Sequence, residues 1–423
     1  MPGAWAAAAA GLSAAIGMCW TLAALLRRRG SLDARSGLYM IVSLMGSELA
    51  VVLAAGALVL AGLFWLLGAA RHPAGQFALL LHGVAVAGLA WAWLRGLGAG
   101  HRIDAVTGVT TPAGPRKLDP AHWLSPMRFA DRRVQWLRDL PYVEGAEGID
   151  GSDPLQRLDV IKPRTPADRP RPVLINIHGG GWIIGNKGTQ SMPLLMHMAR
   201  CGWLVIDADY RLSPKVAMPE HLIDVKRVIA WARRHAAEHG GNPDYLVITG
   251  GSAGGHLAAL AALTANRPEF QPGFEEVDTT VQAALPLYGK YDFLGQRQAD
   301  AVFERFMLDK RIMPGPPASH GALWRAMDPA SQVHADAPPF LLLHGSHDAL
   351  IPPEEAQWFA QRLRAVSRQP VLYAELPHAQ HAWDVPHSLR SDLTVEALQR
   401  HLERQHEIWQ QRGGASQGAE AQA

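Results

Sequence analysis

The sequence predicts an α/β fold: a mostly parallel sheet with helices on both faces, preceded by an N-terminal region of transmembrane helices. Three observations point to it. Charge is partitioned along the chain, since the first hundred of 423 residues hold six Arg and two acids while the other 323 hold 70 charged side chains. Long uncharged stretches fill that first part. The rest alternates short continuous apolar runs with helical stretches, the pattern of strands covered on both faces. The formal net charge is +2, and −2 beyond residue 100, which excludes a basic nucleic-acid footprint. Two cysteines, Cys19 and Cys201, exclude a disulfide scaffold and a thiolate zinc site.

Residues 1–95 read as about three spans. Ala4–Leu26 and Gly75–Leu94 carry no charge, and Gly37–Ala70 carries only Glu48. Each is long enough to cross a hydrocarbon core of about 30 Å, which takes about 20 apolar residues. No basic residue precedes the first run, and that run is too long for a signal peptide. Arg27, Arg28, Arg29 and Arg35 follow span one, and Arg95, Arg102, Arg116 and Lys117 follow span three. By the positive-inside rule the body then lies on the cytoplasmic side. The second stretch is long for one upright crossing and is expected to start with an interfacial turn around Gly37–Gly46 or to hide a re-entrant pair. Glu48 either has an intramembrane function or, as the simpler reading, sits near the headgroups or faces another helix. Residues 96–135 read as a connector without sustained periodicity, 136–411 as the α/β domain, and 412–423 as a disordered tail poor in large apolar residues.

In the body, Val173–Ile177, Trp203–Asp207, Tyr245–Thr249, Ala283–Leu287, Phe340–Leu343 and Val371–Leu376 read as strands. Helical stretches are expected at Met192–Arg200, Glu220–His239, Ala253–Ala265 and Pro353–Val366. Such sheets carry their sites in the loops after the carboxyl ends of strands. Gly250-Gly251-Ser252-Ala253-Gly254-Gly255 falls directly between a strand and a helix, the setting of a nucleophile elbow. A serine hydroxyl needs a base to take its proton and an acid to orient that base. Downstream, Asp348 follows one strand and His381 the next, the order this architecture requires. His378 is the alternative base. A metal pair at His378 and His381 lacks a third ligand. The oxyanion needs preorganised N–H donors, and the Gly-rich loop His178-Gly179-Gly180-Gly181-Trp182 together with the N–H of Ala253 can supply them. Gly179, Gly180 and Ala253 are the assigned donors, with the pair of glycines left open. His178 reads as a structural hydrogen-bonder, and Trp182 as a pocket wall or a packing residue.

Taken together, HGGGW at 178–182, DYRLSP at 209–214, GGSAGGH at 250–256, HGSHDALIP at 344–352 and HAW at 381–383 resemble the hormone-sensitive-lipase-like branch of the α/β-hydrolases. With its apolar head, the chain is most similar to membrane-associated Lip-type carboxylesterases of mycobacteria and related actinobacteria. The resemblance covers about residues 130–410 and implies the α/β-hydrolase fold with Ser252, Asp348 and His381 as triad. It also implies a cap over the site, for which 289–339, with Phe303, Phe306, Met307 and Trp324, is the candidate. Gly251 departs from the branch, which usually has Asp before the nucleophile. The expected function is hydrolysis of short- to medium-chain or lipid esters beside a membrane, with no metal or organic cofactor and no nucleic-acid partner. An amidase, arylformamidase or peptidase of the same fold, acyl transfer to a lipid alcohol, and a non-catalytic membrane scaffold are the alternatives.

Overall fold

The computed structural model describes residues 2–28, 34–109, 119–143, 153–296 and 307–413. The head consists of α1 (Pro2–Leu25), α2 (Ala34–Glu48), α3 (Ala50–Leu66) and α4 (Pro73–Leu94). Helices α1 and α4 run side by side in the same direction, joined by Ser13 Oγ to His82 Nε2 at 2.9 Å, Thr21 Oγ1 to the Ala85 carbonyl at 3.1 Å and Arg95 to the Leu25 carbonyl at 3.3 Å. Among the described residues, two helices are long and apolar enough to cross a membrane, Gly3–Leu25 and Pro73–Thr107. The pair α2–α3, bent by 81°, makes a third if it counts as one span.

The break in that pair is not at Gly37–Gly46, which is helical, but at Leu49. The neighbouring Glu48 supplies the reason. Its carboxylate, 4% exposed, accepts Ser388 Oγ at 2.6 Å and pairs with the Arg390 guanidinium, both on the body. A carboxylate left facing hydrocarbon would be costly, so the chain turns where the partner is.

Within the connector, which shows no sustained period in the sequence, residues 98–107 form a helix that belongs to the body's core. This α5 (Gly98–Thr107) places Ala99 and Ile103 against Leu398 and Leu402, and its Asp104 holds Arg400 at 2.8 and 3.0 Å. Glycines at 96, 98 and 100 had masked its short apolar period. A further turn of helix, α6 (Pro120–Leu124), precedes the sheet.

The sheet has eight strands: β1 (Val134–Pro141), β2 (Arg157–Pro163), β3 (Arg171–Ile177), β4 (Leu204–Ala208), β5 (Gly241–Gly251), β6 (Ala283–Leu287), β7 (Phe340–Gly345) and β8 (Val371–Leu376). Their order is β1-β2-β4-β3-β5-β6-β7-β8, antiparallel at β1–β2 and β2–β4 and parallel elsewhere. The two antiparallel strands were not predicted; β1 is mixed in polarity, with a register shift between Leu137 and Leu140. Helices α7 (Met192–Arg200), α8 (Glu220–His235), α9 (Ala253–Leu263), α10 (Pro317–Ala326), α11 (Pro353–Val366) and α12 (Leu389–Gln411) complete the body. Successive strand residues point to opposite faces. Val173, Ile175 and Ile177 therefore enter a core with α8, α9 and α11, while Leu174 enters the one with α7 and α12. Phe303, Phe306 and the tail beyond 413 lie outside the described residues. Within the stretch expected to form a cap, the described residues include a π turn at Leu308–Ile312 followed by α10, with Met307 half-buried and the buried Trp324 indole donating to the Gly315 carbonyl at 2.8 Å.

The buried Glu48–Arg390 pair yields a stability test. Glu48→Ala leaves Arg390 charged, buried and without its carboxylate, an expected loss of about 3–5 kcal/mol, whereas Glu48→Leu combined with Arg390→Met should recover most of it. Denaturant unfolding in detergent micelles measures both.

Candidate active site

The elbow forms because β5 runs straight into α9 with one residue between them. Ser252 has φ 57° and ψ −118°, a conformation an L-residue holds only under constraint. Its N–H donates to the Leu287 carbonyl at 3.0 Å, and its carbonyl accepts the His256 N–H at 3.0 Å. The turn closes because a Cβ on Gly254 would overlap the Ile177 carbonyl, so only glycine lets β3 and α9 approach this closely.

The structure brings the candidate base and acid together: His381 Nδ1 lies 2.7 Å from Asp348 Oδ2. Asp348 is better held than the sequence suggested. Its Oδ1 accepts the N–H groups of Leu350 and Ile351, each at 2.8 Å, and His344 Nε2 lies 3.1 Å from Oδ2. Burial alone would raise the Asp348 value, but the charge and hydrogen bonds of His381 and His344 prevail and keep it well below the usual carboxylate range. Burial also works against a charged His344, yet the bond to Asp348 lifts its value. Gln380 ties the two loops together, its Oε1 accepting Ala349 N–H at 2.7 Å and His381 N–H at 2.9 Å. Neither His344 nor Gln380 was singled out from the sequence. The i, i+4 spacing of His344 and Asp348 was the available signal for the first.

Ser252 Oγ makes no hydrogen bond to His381 among the described residues. Catalytic hydrogen bonds in substrate-free sites are often long and tighten with substrate. The two residues share Tyr288 as neighbour, whose ring stands 4.7 Å from the imidazole and which directly follows Leu287. The same tyrosine accounts for Gly251: a Cβ there would lie 2.8 and 3.0 Å from its ring carbons, so no larger residue fits before the nucleophile. His378, the alternative base, faces His347 instead, Nδ1 to Nε2 at 3.2 Å.

One assigned oxyanion donor is corrected. The Gly179 N–H donates to Gln190 Oε1 at 2.7 Å and is therefore engaged in holding the loop. Gly180 and Gly181, at φ 119° and 60°, donate no backbone hydrogen bond among the described residues, and Gly179 packs against Ser252. His178 is buried among structural contacts. Its ring stacks on Tyr210 at 4.4 Å, Nδ1 lies 2.7 Å from the Gly179 carbonyl oxygen, and burial lowers its value to about 4. Trp182 is 3% exposed and packs edge-on against His256 and Phe293.

Another histidine cluster lies apart from this site. His122, His387 and Asp392 bring potential ligand atoms within 4.8 Å of one another. The two imidazoles are stacked at 3.9 Å and 21° from parallel, so their in-plane lone pairs do not converge on one ion as they stand.

Comparison with known proteins bears on the fold and the reaction class. A family profile described as BD-FAE matches residues 158–363. The probable carboxylic ester hydrolase LipM of Mycobacterium tuberculosis is 48% identical over 231 residues, 55% of this chain and 54% of its own length. Esterase LipC of the same organism is 39% identical over 271 residues, 64% of this chain and 67% of its own. The chain thus spans little more than half of LipM. Among solved structures, the thermophilic esterase Est2 of Thermogutta terrifontis superposes with a TM-score of 0.51 at 25% identity, covering 67% of this chain and 94% of its own.

The acid–base pair generates two expectations. For ester hydrolysis, Asp348→Asn should lower kcat by about 10⁴-fold. The depressed Asp348 value also stabilises the fold above its unfolded value of about 3.9, and this contribution is lost as pH falls below that point. The difference in unfolding free energy between wild type and Asp348→Asn should accordingly begin to shrink as the pH falls below about 4 and keep shrinking until the depressed native value is reached.

Proposed function

From the premise that the chain belongs to the hormone-sensitive-lipase-like branch of the α/β-hydrolases, we propose that it is a membrane-anchored serine esterase. One observation carries this reading: His381, bonded to Asp348, packs on the Tyr288 ring, which also borders Gly251 of the strained serine elbow, and the Gly180 and Gly181 N–H groups of the neighbouring loop donate no backbone hydrogen bond among the described residues. In the proposed reaction Ser252 Oγ attacks the ester carbonyl while His381 Nε2 takes its proton. Asp348 keeps the imidazole oriented through Nδ1 and stabilises the imidazolium. The oxyanion is held by the N–H of Ala253 with those of Gly180 and Gly181, each donor contributing about 10²–10³ in rate. Collapse returns the proton from His381 to the leaving alcohol. Water, activated by the same histidine, then releases the acid from the Ser252 acyl ester.

The apolar head extends the proposal to location and substrate. Its two or three candidate spans would anchor the enzyme, and the arginines at their inner ends favour the cytoplasmic side for the body. Short- to medium-chain acyl esters or membrane-derived lipid esters are then the accessible substrates. LipM and LipC, named as ester hydrolases, support the reaction class.

A fluorophosphonate probe tests the nucleophile on the full chain in detergent. Wild type should label and Ser252→Ala should not; a wild type that stays unlabelled would favour the scaffold alternative. A p-nitrophenyl ester series against matching anilides should show turnover of the esters, and the reverse preference would place the chain among amidases.

A further inference from the structure

Three loops of the site meet at a buried carboxylate that the triad does not use. Asp384 lies three residues after His381 and is 2% exposed. One of its oxygens accepts the phenol O–H of Tyr288, and the other accepts Ser191 Oγ at 2.7 Å. Both partners have φ in the left-handed region, Tyr288 at 38° and Ser191 at 55°. A bulky side chain stays at such an angle only when its surroundings hold it there.

Each partner leads to a different part of the machinery. Tyr288 donates its N–H to the Leu343 carbonyl at 2.7 Å, fills the space beside Gly251 and stands edge-on to the His381 ring. Ser191 follows Gln190, whose Oε1 holds the Gly179 N–H and with it the oxyanion loop. Asp384 itself belongs to the loop that carries His381. A single carboxylate thus joins the elbow, the oxyanion loop and the base.

We propose that Asp384, acting through Tyr288 and Ser191, is a positioning residue that sets these three loops in register for acyl transfer. The inference rests on the esterase reading. It assigns no contact with substrate to Asp384. Burial pushes the Tyr288 phenol well above its ordinary range, so it remains a hydrogen-bond donor across the working pH range. Polar groups locked this way act as a unit, because removing one leaves the others buried with incomplete partners.

Tyr288→Phe keeps the ring and removes only the O–H, which makes it the informative variant. Ester kinetics on the full chain in detergent, normalised to active sites titrated with the fluorophosphonate probe, provide the measurement. Tyr288→Phe should lower kcat per labelled site about 10- to 100-fold, the effect of sub-ångström misplacement, with KM nearly unchanged. Asp384→Asn should lose at least as much, and the double variant should lose no more than Asp384→Asn alone. A merely structural role would reduce the number of labelled sites and leave kcat per site intact. That outcome, wild-type kcat in Tyr288→Phe, or losses that multiply in the double variant would each overturn the proposal. If Asp384→Asn does not fold, Tyr288→Phe against Ser191→Ala supplies the same comparison. A wild-type chain that neither labels nor turns over esters ends the esterase reading; an active wild type with unaffected variants ends this inference alone.

Discussion

The conformation of Ser252 is the constraint on which the site is built. At φ 57° and ψ −118° the residue costs on the order of 1–3 kcal/mol and persists only because its surroundings over-determine it. Those surroundings are three neighbouring strands. β5 delivers the residue, β6 holds its N–H through Leu287, and the end of β3 packs against Gly254. The sheet order β3-β5-β6 is therefore what exposes the hydroxyl, and it places the glycine loop after β3 beside it. Loosening any one contact would relax the turn and move the Ser252 hydroxyl.

Around that turn the polar groups are organised by mutual satisfaction. Asp348 is buried, yet both oxygens are occupied, by two backbone N–H groups on one side and two histidines on the other. Gln380 and Gln190 fix backbone N–H groups in loops that have no ladder to hold them. In a low-dielectric interior such bonds are strong when complete and expensive when broken. The site is consequently stiff without any of these groups meeting a substrate.

The head and the body are coupled by the same physics. Glu48 finds its partners at Ser388 and Arg390, in the segment that leads from the His381 loop into α12. A charge inside an apolar region thus selects one docking of the head against the body. The exposed Arg27–Glu354 pair at 2.9 Å adds little by comparison, because water screens it.

Several features were legible in the chain itself, for reasons of local chemistry. Continuous apolar runs reveal buried parallel strands, because both faces must exclude water. The small residues around Ser252 reveal the elbow, because only they fit so tight a turn, and the order of serine, acid and histidine follows from the order of strands. Uncharged stretches of 20 residues or more reveal candidate spans. Other features depend on residues far apart in sequence. That Gly179 is engaged by Gln190, that Glu48 breaks its helix to reach a partner 342 positions away, and that Asp384 joins Tyr288 to Ser191 all require coordinates. Sequence patterns carry the periodicity of water exclusion and the sterics of neighbours, whereas the pairing of buried polar groups depends on which distant elements the fold brings together.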